Sequence, residues 1–211
     1  MTEPFYLEPL TSDETNLQLI QNFTIDREKK YSHLPGKVIG LEAYLKRCAW
    51  QDDLNNQVRI YLIKDSKTGD VAAYFGLKAG MVVDSEEGMP SEEEKQEVME
   101  EYGAKLLPEV VPGIEITHFA VNDDYRRKAG KEGKPIRGLG EYFYPQFIYP
   151  IIEDVARKIG VGLIYLYAAG DERLVSYYER VFEFQMLDAA DFIIPLEPGY
   201  DGGCTFMYRL I

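Results

Sequence analysis

The short segment Arg137-Gly138-Leu139-Gly140 has the residue types of an anion-binding turn. Glycines let several backbone N–H groups point in one direction, and the N-terminus of a following helix adds partial positive charge. An arginine at the start of the turn can donate several hydrogen bonds to phosphate oxygens. The segment therefore predicts a site for a phosphate-containing ligand, although a glycine-rich helix entry without a ligand accounts equally well for so short a motif.

Two candidates for proton transfer lie in the strand pattern that precedes this turn, residues 114–121. Period-two alternation puts Glu115, Thr117 and Phe119 on one face of the strand and His118 on the other. A partly buried carboxyl can have a pKa raised toward the value a general base needs, and a free imidazole already has a suitable pKa. Glu115 is the first candidate. An ion-paired strand glutamate and a core histidine are the alternatives.

The turn must be positioned by the elements on either side of it. A polar, basic loop is expected over residues 122–135, between the strand and the turn. A long helix is expected over about residues 141–159, because apolar residues recur there at helical spacing. Pro145 and Pro150 conflict with a straight helix, so we expect a kink or a delayed start.

The other elements alternate between strand and helix patterns along the chain. In the C-terminal half we expect a strand at 161–168, a helix at 171–182 and strands near 186–194 and 204–210. In the N-terminal half we expect a strand at 5–10, helices starting near 11–14 and over 41–50, and a hairpin of strands 58–63 and 71–77.

An acid-rich stretch at about residues 84–112 interrupts this alternation. Ser91 and Glu94 have the spacing of a capping box, which predicts a helix over about residues 92–106. A solvated surface helix is one interpretation, and a flap that attracts cations is the other. We expect one mixed α/β domain over residues 1–211, with this stretch as an insertion.

The composition is that of a globular protein with an acidic surface. The chain has 211 residues, and 45% of them are hydrophobic, so a core of ordinary size is expected. Its formal net charge of -13 disfavours a surface that binds nucleic acid and suits a cationic ligand.

No apolar run reaches the roughly 18 residues of a membrane span, and the N-terminus lacks the features of a secretory signal. The two cysteines have no metal-ligand spacing, so we expect a cytoplasmic protein without a metal site.

The residues from Phe119 to Arg126, followed by Arg137-Gly138-Leu139-Gly140, resemble motif A of the GNAT N-acetyltransferase superfamily, which reads Gln/Arg-x-x-Gly-x-Gly/Ala. Residues 177–184 are similar to the later tyrosine-containing helix of that family, and the element order matches over nearly the whole chain. The resemblance implies an α/β fold with a central, mostly antiparallel mixed sheet of about seven strands flanked by helices.

This sequence departs from the family pattern at three places. Residues 127–136 are inserted before the turn, which leaves Arg127-x-x-Gly130 as a competing register. We prefer the register of Arg137 because the helix pattern begins directly after Gly140. Tyr142 stands where the motif ends in a small residue, and Glu183 stands where the later helix ends in glycine.

The resemblance implies transfer of an acetyl group from acetyl-CoA to a primary amine. The backbones of Phe119 and Val121 would pair with the pantetheine arm. Glu115 would be the general base and Tyr178, with Tyr177 as the alternative, the acid for the leaving thiolate. The pyrophosphate would be held by the amides of Arg137, Gly138, Leu139, Gly140, Glu141 and Tyr142, and the 3′-phosphate by Arg126, Arg127, Lys128, Lys131 and Lys134.

Three interpretations of the function stay open. The acidic charge favours the amine of a cationic small molecule, with nucleic acid unlikely as a partner and no membrane. The N-terminal half is faintly similar to tRNA-acetylating GNAT toxins, which favours a macromolecular acceptor, tRNA or protein. A module that binds CoA without turnover is the third. The aromatic segment from Tyr142 to Phe147 makes a homodimer contact possible.

Overall fold

The computed structural model describes residues 3–26, 40–84, 91–102, 110–130, 134–169, 171–186, 192–193 and 204–211. The strands are β1 (Phe5–Pro9), β2 (Arg59–Asp65), β3 (Val71–Asp84), β4 (Val110–Val121), β5 (Leu163–Ala169), β6 (Gln185–Met186), β7 (Phe192–Ile193) and β8 (Cys204–Leu210). The α-helices are α1 (Asn16–Leu19), α2 (Leu41–Arg47), α3 (Ala49–Leu54), α4 (Glu92–Tyr102), α5 (Asp123–Lys128), α6 (Leu139–Phe143), α7 (Tyr149–Ile159) and α8 (Glu172–Phe182).

The sheet has the strand order β1-β2-β3-β4-β5-β8-β6, and the short strand β7 pairs with β3. The pairs β1–β2, β2–β3, β5–β8 and β6–β8 are antiparallel, and β4–β5 is parallel. The predicted mixed, mostly antiparallel sheet flanked by helices is therefore confirmed. Within the residues that the structure describes, no helix is long and apolar enough to cross a membrane.

The chain divides into two compact units. The first contains residues Met1–Lys78 and Ile116–Asp154, and the second contains Ala79–Glu115 and Val155–Ile211. The long strands β3 and β4 contribute residues to both units. The prediction of a single domain over the whole chain stays a prediction.

The first unit is organised around the predicted hairpin of β2 and β3. Asp65 begins the connecting turn, and its carboxylate accepts hydrogen bonds from the backbone N–H groups of Lys67 and Thr68 at 2.7 and 3.2 Å. Gly69 completes the turn with a φ of 74°, a conformation that favours glycine. One face of the hairpin packs into a fully buried core cluster that includes Leu10, Ile20, Phe23, Leu45, Ile60, Leu62 and Tyr74.

The second unit is organised around β5, which pairs with β4 on one side and β8 on the other. The parallel ladder with β4 covers Gly113–Glu115, and the antiparallel ladder with β8 runs the full length of β5. Asp171 caps the N-terminus of helix α8, because its carboxylate accepts the N–H of Arg173 at 2.9 Å. The helix ends at Glu183 with a φ of 61°, so a glutamate takes the left-handed conformation in which glycine is usual.

The acidic stretch forms the predicted helix with the predicted cap. Ser91 Oγ accepts the N–H of Glu94 at 3.2 Å, and the Glu94 carboxylate accepts the N–H of Ser91 at 2.8 Å. Helix α4 is described as far as Tyr102, and the rest of the predicted helix lies outside the described residues. The strand expected near 186–194 is represented by two short strands, β6 and β7, with the intervening residues also outside the description.

Candidate active site

The chain leaves β4 through a short helix and not through the loop that the sequence predicted. Asn122 caps helix α5, because its side-chain oxygen accepts the N–H of Asp124 at 3.0 Å. Acidic residues occupy the first turn and basic residues the last turn, which complements the helix dipole. The Asn122 amide also donates to the carbonyl of Val71 on β3 at 2.8 Å, so the helix is tied to the end of the sheet.

Hydrogen bonds join the two ends of the insertion between α5 and the turn. Ile136 donates its N–H to the carbonyl of Arg126 at 3.0 Å, and Arg126 Nε donates back to the Ile136 carbonyl at 2.9 Å. A Cβ at Gly130 would overlap the carbonyl oxygen of Lys134, so the backbone fits there only with glycine. The loop therefore returns the chain to the end of α5, directly before Arg137.

The turn has the geometry of an open helix N-terminus. Gly138 has a φ of 74° and precedes α6 without a side-chain cap. A Cβ built on Gly138 meets no atom of the described residues within 4 Å, so these residues leave the space in front of the turn open. The first N–H groups of a helix have no partner within the helix, and here they belong to the residues from Gly138 to Glu141. Uncapped N–H groups beside open space are what a phosphate group requires.

The cations predicted to hold the 3′-phosphate differ in their pairing. Arg126 contacts the Asp123 carboxylate at 2.8 Å, and Lys128 contacts Asp124 at 2.6 Å. Arg127 forms an ion pair with Asp26, whose sequence position is far from the helix. Lys131 lies outside the described residues.

Arg137 differs from these cations. Its side chain is exposed and has no ion pair or hydrogen bond within the described part of the chain, and the same holds for Lys134. Arg137 is therefore an available guanidinium beside the open turn, whereas the α5 cations are already neutralised by nearby carboxylates.

Tyr142 is accommodated by packing. Its ring is 40% exposed and lies 6.1 Å from Phe5, 5.9 Å from Phe143 and 6.4 Å from Phe147, measured between ring centroids. Offset aromatic contacts of this kind stabilise the ring position. The bulky residue at the end of the motif is thus held in an aromatic cluster of the first unit.

The helix that follows the turn contains a π-helical stretch, Tyr144–Ile148, between α6 and α7. Tyr149 donates its N–H to the Tyr144 carbonyl, which is one residue farther back than in an α-helix. This wider turn reconciles Pro145 and Pro150 with a continuous helical run, because each proline lacks an N–H and its ring clashes with an α-helical carbonyl. The sequence predicted a kink or a delayed start, and the structure shows a π-helical turn within the helix. The helix starts at Leu139, before the predicted start near residue 141.

Glu115 is buried in the second unit, with 6% of its surface exposed. The hydroxyl of Tyr165, on β5, lies 3.5 Å from the Glu115 carboxylate. The β4–β5 ladder pairs these two residues directly, so they share one face of the sheet. Sequence reasoning missed Tyr165, because nothing in the sequence fixes the register of two parallel strands.

His118, the second candidate base, faces the core of the first unit. Its ring stacks on Tyr44 with a centroid distance of 3.7 Å and an interplanar angle of 9°. Burial lowers the pKa of His118 to about 4, so the imidazole is neutral at physiological pH and a weak base. The contact with Thr117 Oγ1 at 2.8 Å adds to its fixed position.

Tyr178 lies on α8 among aromatic rings. Its ring centroid is 5.7 Å from Phe182, 6.0 Å from Phe184 and 6.2 Å from Tyr177. Burial, with a smaller effect of Tyr177, raises the pKa of Tyr178 to about 12. Its phenol therefore stays protonated at neutral pH, as a proton donor must.

The strand order and the helix after β4 are those of the GNAT-like fold expected from the sequence, and that expectation is confirmed by solved structures. AtaTR bound with acetyl-CoA has a TM-score of 0.59 and 12% identity, covering 99% of this chain and 95% of that chain. AtaT complexed with acetyl-methionyl-tRNAfMet has a TM-score of 0.55 and 15% identity, covering 90% and 94%. A KacTA–DNA complex has a TM-score of 0.56 and 13% identity, covering 98% and 92%. By sequence, no protein family and no curated protein matches.

These structures bear on two of the sequence-based predictions. Acetyl-CoA is bound in an AtaTR structure, which bears out the predicted cofactor class for this fold. The prediction of a small-molecule acceptor with nucleic acid unlikely is contradicted, because proteins of this fold occur in complexes with tRNA and DNA. The net charge misled the prediction of the partner, because most of the net negative charge belongs to residues 84–112. The net charge of the whole chain therefore does not describe the charge of its other surfaces.

Proposed function

We propose that this protein is an acetyl-CoA-dependent N-acetyltransferase whose acceptor is an amine carried by tRNA. The observation that carries the proposal is the open, uncapped turn at Gly138, beside which the guanidinium of Arg137 has no ion pair with any residue that the structure describes. Such a turn matches the pyrophosphate of CoA in charge and in hydrogen-bonding capacity. The presence of acetyl-CoA on AtaTR, a protein of the same fold, supports this ligand.

The end of β4 offers backbone groups for the pantetheine arm. The ladder between β4 and β5 ends at Glu115, whereas β4 continues to Val121. The edge of β4 that carries Phe119 and Val121 is thus outside that ladder. We assign the amide and carbonyl groups of these two residues to the pantetheine, and the N–H groups from Gly138 to Glu141 to the pyrophosphate. The N–H of Tyr142, predicted from the sequence to belong to this set, is instead donated to the Gly138 carbonyl at 3.1 Å.

The chemistry requires a neutral amine and a protonated leaving group. Acetyl-CoA supplies a thioester carbon, to which the amine nitrogen bonds as the carbon–sulfur bond breaks. Glu115 accepts the proton that the amine gives up, directly or through water. Tyr178, held protonated by the high pKa that burial gives it, donates a proton to the departing sulfur.

An amine on tRNA is supported by the complex of AtaT with acetyl-methionyl-tRNAfMet. In that complex the acetyl group is on an aminoacyl-tRNA. We therefore expect the α-amino group of an aminoacyl-tRNA to be the acceptor of this protein. With Arg137 assigned to the pyrophosphate of CoA, the exposed cation Lys134 is available to tRNA phosphates, unlike the ion-paired cations of α5.

Two assays test the proposal. The first measures acetyl-CoA affinity by calorimetry for Arg137→Ala and for the matched control Arg127→Ala, whose side chain is already paired with Asp26. Arg137→Ala should weaken binding about tenfold, the cost of one charged hydrogen bond, and Arg127→Ala should not. Equal affinities of the two variants would contradict the assignment of the turn.

The second assay measures free-thiol release with acetyl-CoA and aminoacylated tRNA, with uncharged tRNA as the control. Glu115→Gln and Tyr178→Phe should each lower turnover about 100-fold or more without a matching loss of acetyl-CoA affinity. Binding of acetyl-CoA without thiol release would show a non-catalytic module. Release with a protein amine but not with aminoacyl-tRNA would refute the acceptor and leave the enzyme class intact.

A further inference from the structure

Tyr165 occupies a space that two strand glycines leave open in the second unit. A Cβ at Gly113, on β4, would lie 3.0 Å from Cε1 and 3.1 Å from Cδ1 of the Tyr165 ring. A Cβ at Gly80, on β3, would overlap the Tyr165 hydroxyl oxygen and lie 2.8 Å from Cζ. The ring therefore extends from β5 over β4, with its hydroxyl over β3.

This arrangement fixes the hydroxyl position. Glycine within a strand is unfavourable, because it loses more conformational entropy on folding than other residues and packs no side chain. Here Gly80 is explained by the room that the hydroxyl end of the ring needs. Gly113 leaves room for the edge of the ring and also for the side chain of Leu163, whose Cδ1 would lie 2.8 Å from a Cβ at Gly113. The ring is almost fully buried and also lies 5.6 Å from Phe206 and 6.3 Å from Tyr167, measured between centroids.

The fixed hydroxyl lies beside the buried carboxylate of Glu115. Its oxygen is 3.5 Å from Glu115 Oε2, and the two residues are direct partners in the parallel ladder. A phenol can donate a hydrogen bond to a carboxylate, and such a bond restricts the carboxylate to one orientation.

We infer that Tyr165 is a positioning residue for Glu115, and that Gly80 keeps the Tyr165 hydroxyl in place for that role. The inference rests on the proposed function, in which Glu115 accepts the proton of the amine. Tyr165 does not react. It orients the carboxylate and favours its ionised form, which is the form that accepts a proton.

The kinetic test compares Tyr165→Phe with Tyr167→Phe, the same change two residues along the same strand and on the same face. Tyr165→Phe should lower kcat about tenfold, the size expected for one hydrogen bond to a charged group, with the KM for acetyl-CoA unchanged. The acidic limb of its pH–rate profile should move to higher pH, because the ionised carboxylate has lost a donor. Tyr167→Phe should change neither quantity.

The outcomes separate the inference from the function on which it rests. An active wild type with identical pH profiles for the two variants would refute the positioning role and leave the proposed function standing. A wild type that binds acetyl-CoA but turns over no amine would overturn the function, and the role of Tyr165 with it.

A stability measurement tests the packing part of the inference without activity. Gly80→Ala should lower the melting temperature, because its Cβ overlaps the Tyr165 hydroxyl. In the Tyr165→Phe background the same change should cost clearly less, since the hydroxyl oxygen is gone and only the 2.8 Å approach to Cζ remains. An equal loss in both backgrounds would show that Gly80 does not hold the hydroxyl, and would overturn that part of the inference.

Discussion

Replacing Gly138 by alanine tests whether the turn before α6 binds a ligand or only starts a helix. Gly138 has a φ of 74°, a conformation that costs an L-residue about 1–2 kcal/mol. Alanine also restricts the unfolded chain, which returns about 0.4–1 kcal/mol. A Cβ there meets no atom within 4 Å in the part of the chain that the structure describes, so no steric cost is added. The net loss of unfolding free energy should be about 1 kcal/mol, or about 2–4 °C in Tm for a chain of this length.

The effect on acetyl-CoA binding should exceed what this small strain explains. The new Cβ would occupy the open space in front of the turn, where the phosphate oxygens are expected. Displacing one charged hydrogen bond costs about 1.5–3 kcal/mol, which is about a tenfold or greater loss of affinity. Calorimetric titration with acetyl-CoA measures this directly, and the rise of Tm with ligand concentration provides an independent value.

Gly160→Ala is the matched control. Gly160 follows α7 with a φ of 66°, and its Cβ would likewise meet no described residue within 4 Å. The two variants should lose similar stability, and only Gly138→Ala should lose affinity. If both bind acetyl-CoA as the wild type does, the turn is a helix entry and the cofactor assignment is wrong.

Three further predictions concern stability, each measured by urea unfolding. Burial lowers the pKa of His118 from 6.5 to about 4, so the imidazole is neutral in the folded protein. The free energy of unfolding should therefore be unaffected by His118 above pH 6.5 and should decrease as the pH falls from 6.5 toward 4, because the unfolded chain takes up the proton first. The loss should be about 2 kcal/mol at pH 5, and a His118→Phe variant that keeps the same slope over this range would contradict the reasoning. Glu8→Ala removes the carboxylate 2.8 Å from the buried Lys64 ammonium and should cost about 3 kcal/mol. A cost near zero would mean that the hydrogen bond from Lys64 to Asn16 Oδ1, at 2.5 Å, is sufficient to stabilise the buried ammonium. Glu183→Gly should raise the free energy of unfolding by about 0.5 kcal/mol, because glycine adopts the φ of 61° without strain. The ion pair of Glu183 with Arg209 is largely exposed on the glutamate side, so its loss should cost little. A destabilised variant would show that this ion pair contributes more than the backbone strain costs.

Local signals in the sequence were sufficient for most of the elements. The Ser91–Glu94 capping box identified α4, and the turn residues from Asp65 to Gly69 identified the hairpin of β2 and β3. Each of these signals lies within a few neighbouring residues. Helix α5 also had such a signal, an asparagine cap followed by acids and then bases, but it is short and its abundance of charge suggested a loop.

Contacts between distant residues could not be predicted. The ion pair of Arg127 with Asp26 joins segments whose proximity depends on the whole fold, and it changes the interpretation of the basic patch. The contact of Tyr165 with Glu115 depends in the same way on strand register. The acceptor was predicted wrongly because net charge is a sum over the chain, whereas recognition depends on where individual charges lie.

The hydrogen bonds between Arg126 and Ile136 make the position of the turn independent of the length of the insertion that precedes it. Reciprocal hydrogen bonds fix the two ends of the loop to each other. The entropy of closing a loop grows only slowly with its length. Evolution or an engineer could therefore lengthen this loop, or graft a foreign peptide into it, while Arg137 and the glycines after it keep their place.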